Sequence, residues 1–171
     1  FERLYVDENA LIATPYHAAM NRIRELLRSD RHGSCGMGIG EAVQDSLEYT
    51  DVIRVGDVKR THIRRKLIDL QELKLAQALM LISGRVITNS IESELSILSD
   101  GSTISMIREW YERVLSRINV VSSGWLEKEL TKNVVFEGAQ GVLLDQDFGF
   151  HPYTTWSNCT FDNALTLIGS R

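Results

Sequence analysis

The chain has 171 residues, a formal net charge of −4, 43% hydrophobic and 25% charged residues, the composition of one soluble domain long enough to bury a core. Its acidic balance, with a pI near 5.6, argues against broad nucleic-acid binding. No apolar run approaches the roughly 18 residues of a membrane span, and the first residues lack the form of a signal peptide. Cys35 and Cys159 sit far apart in no metal-ligand spacing, so free thiols in a reducing cytosol are expected. The chain starts at Phe1 without a methionine, and reads as a piece of a longer protein.

Leu4–Val6 is a short strand candidate, followed by a polar turn at Asp7–Asn9, and Leu11–Ile12 a second short strand. Thr14 and Pro15 predict a helix start, Thr as N-cap and Pro at the first helical position, where its missing N–H costs nothing. Tyr16, Met20, Ile23 and Leu27 then recur at helical spacing, with Arg22, Arg24 and Arg28 off the stripe. His17 reads as a helix-end structural residue. A long helix is expected over 61–82, its apolar side carried by Ile63, Leu67, Leu70, Leu73, Leu75, Leu79 and Ile82, with a solvated basic start at His62–Lys66. Shorter helices follow at 89–98 and 103–118, the second capped by Ser102 or Thr103, with Trp110 packing beside its apolar stripe. A loop and short helix over 122–132 lead to a buried strand at Val134–Phe136, and a last helix is expected over 162–168 with Asp162 as N-cap. The region from 14 to 132 is thus mostly helical.

Two stretches carry chemistry. The first, His32 to Gly40, holds Gly33, Gly36, Gly38 and Gly40, which implies unusual backbone angles, close ligand approach, or both. It fits neither the P-loop, since Ile39 follows Gly38, nor the dinucleotide fingerprint, whose third glycine site is Glu41 counting from Gly36. The residues alone leave a glycine-rich turn and a phosphate cradle both open. The second runs from Val134 to Asn158. Gly138 and Gly141 bracket Ala139 and Gln140 just past the expected strand, placing an amide where open α/β sheets bind ligands. Asp145 and Asp147 read as capping and loop-bracing residues, or alternatively as a metal pair. Thr154, Thr155, Ser157 and Asn158 offer hydroxyls and an amide to a polar ligand.

The order Phe136–Gly141, then Leu143–Asp145, Asp147–Gly149 and Pro152–Asn158 closely resembles the adenylosuccinate synthetase family, which carries Phe-Glu-Gly-Ala-Gln-Gly, Leu-Leu-Asp-x-Asp-x-Gly and Pro-x-x-Thr-Ser-Ser-Asn-like blocks in that order. The resemblance covers nearly the whole chain and places it in the middle of a family more than twice as long. It implies an α/β fold with a mainly parallel sheet. This chain would be the helix-rich middle portion of a single domain, helical at about 14–132, with a strand-loop nucleotide segment at 134–158. It implies a cytoplasmic homodimer that joins IMP and L-aspartate at the expense of GTP with Mg2+, whose ligands lie outside this chain, so no metal-binding residue is expected in it. It implies no nucleic-acid or membrane partner.

Residue by residue, the resemblance assigns Gln140 to the purine 6-position as a catalytic donor, Leu144 to an apolar nucleotide contact and Thr155 to the nucleotide phosphate. It assigns Gly33, Ser34 and Cys35 to the loop that holds the purine mononucleotide, Ser34 and Cys35 standing in place of two threonines. Met37 replaces an arginine and Glu41 a proline. A phosphate-binding arginine expected at Tyr49 or Thr50 is missing, and a thiol at Cys35 is a weak hydrogen-bonding group. These departures open two alternatives: a diverged synthetase acting on another purine nucleotide, or a non-catalytic purine-binding or interaction module.

Overall fold

The computed structural model describes residues 3–29, 33–130 and 133–169. Phe1, His32 and Lys132, which fall within sequence-based expectations above, lie outside the described residues. The chain divides into two compact units, Phe1–Val120 and Val121–Arg171.

The first unit is built on α1 (Pro15–Leu27). Thr14 is its N-cap in extended conformation, and Pro15 opens the helix. The stripe then buries Tyr16, Met20 and Ile23 completely. Around α1 pack α2 (Ile39–Glu48), α3 (Ile63–Ile82) and α4 (Asn89–Ser99), while α5 (Thr103–Leu115) lies on α3. Two short strands, β1 (Tyr5–Asp7) and β2 (Asn119–Val121), form a two-stranded sheet. Leu11 makes only an isolated antiparallel bridge to Arg54, in place of the second strand expected there. The described residues are thus helix-rich with a small sheet, compatible with an α/β fold.

The buried face of α3 differs from the expected one. It runs through Ile63, Leu67, Gln71, Lys74, Ala78 and Ile82, whereas Leu79 is 52% exposed. Two polar residues hold core positions because each finds partners there. Gln71 Nε2 donates to the Asp100 carbonyl at 3.0 Å, and Lys74 enters a charge cluster described below. Trp110 meets Tyr111 edge-on at 5.4 Å but stays 59% exposed, so it is only partly packed.

In the second unit, α6 (Trp125–Glu129) and α7 (Phe161–Leu167) flank a long closed loop. The strand expected at Val134–Phe136 is not formed: these residues belong to no strand or helix, and Val135 is 91% exposed. A β-prone triplet becomes a strand only when a neighbouring strand takes its N–H and C=O groups, and none does so among the described residues. Gln140 therefore does not stand at a strand end. The cap of α7 is Thr160, whose hydroxyl accepts from the Asp162 N–H, rather than Asp162 itself.

Candidate functional site

The glycine loop precedes α2. Gly33, Gly36 and Gly38 have φ of +74°, +71° and +78°, and Gly38 is the left-handed N-cap of α2. A Cβ at Gly38 would collide with the backbone of His17 and Ala18, so the loop is pressed against the first turn of α1 and only glycine fits. Ser34 Oγ donates to Asn21 Oδ1 at 2.8 Å. Arg22 holds the loop from below: Nη1 donates to the Gly36 carbonyl at 3.1 Å, while Nε and Nη2 grip Glu94 at 2.7 and 2.8 Å. Gly33, Ser34, Cys35 and Met37 are exposed.

Behind the loop lies a buried charge cluster. Lys74, 1% exposed, donates to Asp45 Oδ1 at 2.6 Å, to Gln77 Oε1 at 3.1 Å and to Glu41 Oε2 at 3.4 Å. Arg24 Nε lies 2.7 Å from Glu41 Oε1. Asp45 Oδ2 meets His17 Nε2 at 3.1 Å. Since His17 Nδ1 accepts from the Thr14 N–H at 2.9 Å, the ring hydrogen sits on Nε2, which donates to Asp45. Burial alone would push the Asp45 carboxyl up, but the hydrogen bonds from His17 and Lys74 and the Lys74 charge outweigh it and hold the group below its ordinary value. Asp57 behaves alike: burial opposes its charge, and the Arg54 N–H, Lys66 and His62 overcome that. Glu41 and Asp45 are one helical turn apart on α2, so they share a face.

Sequence reasoning missed this cluster. The visible signals were two acids at i, i+4 on an amphipathic helix and a lysine interrupting the stripe of α3.

In the second unit the loop closes on Asp145, which is fully buried. Asp145 Oδ1 accepts from the Asp147 and Phe148 N–H groups at 2.8 and 3.0 Å, and Oδ2 from the Cys159 N–H at 2.6 Å. The Cys159 bond first, then the Phe148 bond, hold its carboxyl below the usual range. The bracing role read for Asp145 is what its contacts show. Gly149 sits where a Cβ would meet the Asp145 and Leu143 carbonyls. The Thr155 N–H donates to the Leu144 carbonyl at 2.8 Å, and the Gln146 N–H to the Ser157 carbonyl at 3.1 Å. Leu144 and Thr155 are thereby brought side by side. Gln140 is exposed on the entering arm of the same loop. Gly33, Ser34 and Cys35 belong to the first unit and Gln140, Leu144 and Thr155 to the second.

Among the described residues, no group of three or more His, Cys, Asp or Glu is arranged to hold a metal ion. Asp145 and Asp147 do not make the metal pair considered above, because the Asp145 carboxylate is taken up by backbone N–H groups. The described residues thus form no ligand set for the magnesium implied by the resemblance.

The family model for adenylosuccinate synthetase matches residues 1–171. Similar curated proteins carry the same name: one from Psychrobacter cryohalolentis is 32% identical over 170 residues, covering 98% of this chain and 37% of that protein. One from Buchnera aphidicola is 30% identical over 169 residues with the same coverage, and one from Polynucleobacter necessarius is 32% identical over 173 residues, covering 98% and 35%. The chain thus spans little more than a third of the length of these relatives. With the Gln140, Leu144 and Thr155 blocks in place and a match along its whole length, the chain belongs to the adenylosuccinate synthetase family.

Proposed function

We propose that this chain carries part of the purine-mononucleotide site of a carbon–nitrogen ligase of adenylosuccinate synthetase type. The whole protein would be a cytoplasmic homodimer that joins IMP to L-aspartate using GTP and magnesium, built on a mainly parallel sheet completed outside this chain. The observation that carries the reading is the Asp145-closed loop, which holds Leu144 and Thr155 together, with Gln140 exposed just before it in the chain. In this reading the Gln140 amide donates to charge developing on the purine 6-oxygen as it is phosphorylated, where a positioned donor counts most. The Thr155 hydroxyl donates to the nucleotide phosphate and Leu144 lies against the nucleotide, while Gly33, Ser34 and Cys35 are read, from the resemblance, as a mononucleotide-holding loop. Magnesium would neutralise phosphate charge, with ligands supplied by other parts of the protein.

A second reading, a synthetase acting on a different purine nucleotide, is favoured by one observation. The described cations beside the glycine loop are already paired, Arg22 with Glu94, Arg24 with Glu41 and Lys74 with Asp45, while Met37 and Tyr49 bring none. The test is a thermal-shift panel on the full-length protein with IMP, GMP, AMP and GTP, each with and without magnesium. A ligand that binds only the folded form raises the midpoint. A shift with IMP that Q140A leaves intact, together with a loss of turnover in Q140A of about 10²–10³-fold, supports the first reading. A shift with another mononucleotide in place of IMP supports the second. A cooperative transition that no nucleotide moves sinks both.

A further inference from the structure

The glycine loop is fastened to α1 along its length. Gly38 rests on the backbone of His17 and Ala18, Ser34 Oγ donates to Asn21 Oδ1, and the Gly36 carbonyl accepts from Arg22 Nη1. Residues 17–18 and 21–22 are one turn apart, so they share a face of the helix. Residues 33–35 belong to no helix or strand, and Gly33, Gly36 and Gly38 are all left-handed. Such a segment has no backbone ladder to define it, so its shape depends on the side chains that hold it.

The Arg22 fastening is the one that also reaches α4. Glu94 takes Nε and Nη2 through its two carboxylate oxygens, with only 16% of its side chain exposed. A two-point grip on a planar guanidinium fixes the direction of its remaining N–H groups. Glu94 therefore aims Nη1 at the Gly36 carbonyl. The stem of Arg22 is fitted as closely, since a Cβ at Gly36 would stand 3.2 Å from its Cγ.

An arginine beside this loop could act in either of two ways, as a ligand of the phosphate or as a clamp on the backbone. Glu94 has opposite effects on the two. It would neutralise and hold back a phosphate ligand, whereas it aligns a clamp. Nε, Nη2 and Nη1 are each already directed at a protein oxygen, which is the arrangement of a clamp.

We propose that Arg22, aimed by Glu94, is a positioning residue: it sets the conformation of residues 33–38 through the Gly36 carbonyl and touches no phosphate itself. Its effect on the reaction rests on the reading of this loop as part of the mononucleotide site.

The experiment compares the full-length protein with R22M, R22K, E94Q and the R22M/E94Q double variant. Hydrogen–deuterium exchange of the peptide covering 33–38 is followed without ligand. Steady-state kinetics are measured with IMP, or with whichever mononucleotide shifts the wild type in the thermal panel. R22M and E94Q should each speed exchange in 33–38 about tenfold, the low end for loss of a hydrogen bond to a charged group. R22K should not restore it, because one ammonium cannot grip both Glu94 oxygens and the Gly36 carbonyl in a plane. E94Q should raise KM for the mononucleotide about tenfold, more than it lowers kcat, and should add little to R22M, through which it acts. E94Q is nearly isosteric and decides alone if R22M fails to fold. Unchanged exchange in both single variants, a KM lowered by E94Q (an arginine released onto the phosphate), a KM indifferent to E94Q, or wild-type behaviour of R22K overturns the proposal. A wild type that no nucleotide shifts sinks the reading of the site instead, and the exchange measurement then decides by itself whether Arg22 holds the loop.

Discussion

Lys74 shows what one residue can demand of its surroundings. Its ammonium lies in the core of the first unit with two carboxylates and an amide oxygen around it. Removing one partner of a buried ion pair leaves the other charged and desolvated, which costs about 3–5 kcal/mol. K74A should therefore lower the unfolding free energy by that amount, read as a lower urea midpoint at unchanged slope, and a variant within about 1 kcal/mol of wild type would show that the cluster is hydrated. Tyr16 is the opposite case. Its ring is fully buried and its hydroxyl has no hydrogen-bond partner among the described residues. A hydroxyl buried without a partner contributes nothing that phenylalanine would lack. Y16F should thus be neutral or stabilising, and a loss above about 1 kcal/mol in denaturant titration would reveal a partner, such as a bound water.

At the scale of elements, the join between α1 and α2 rests on Gly38. G38A combines a left-handed residue with a backbone collision against His17 and Ala18, and both penalties act on the same turn. The variant should lose helix content at α2 and expose the glycine loop to proteolysis between residues 33 and 38, whereas G33A, with open space around its Cβ, should be cut much less. Cleavage of the two at equal rates would count against this account. How much of these elements could be read in advance depended on where their partners lie. The cap and the stripe of α1 are local, and Thr14, Pro15 and Tyr16 announce them. The face of α3 was misjudged because apolar spacing cannot show that Lys74 would be met by Glu41 and Asp45, some thirty residues earlier. The strand at Val134–Phe136 failed for the same kind of reason. Its propensity is local, but its hydrogen bonds are not. Asp145 was legible as a brace because a carboxylate in a glycine-rich loop readily accepts from nearby N–H groups, though its more distant partner Cys159 was not.

For the whole molecule, titration sums these local choices. Asp45 and Asp57 are held below the ordinary carboxylate value, so the unfolded chain takes up their protons first as pH falls. Their contribution is complete above about pH 4, the unfolded value, and is lost as pH drops below it through the folded values. Tyr16 and Tyr111 are pushed up to about 12, both chiefly by burial. Here the unfolded chain releases protons first, so stability falls as pH rises from about 10, the unfolded value, towards 12. A melting curve measured across pH should therefore show an acid shoulder that D45N reduces and an alkaline one that Y16F reduces. A profile unchanged by D45N would contradict the His17 and Lys74 contacts of Asp45, and one unchanged by Y16F the burial of Tyr16.

The loop that closes on Asp145 has one more consequence. Its shape is written almost wholly in backbone bonds: three N–H groups tie to one carboxylate, and the Leu144 and Ser157 carbonyls tie to Thr155 and Gln146 across the turn. The side chains that would meet a ligand take no part in that fastening. The segment from 141 to 159 is therefore a cassette: its outward residues can be exchanged one by one, to retune what is recognised, while the frame that presents them stays the same.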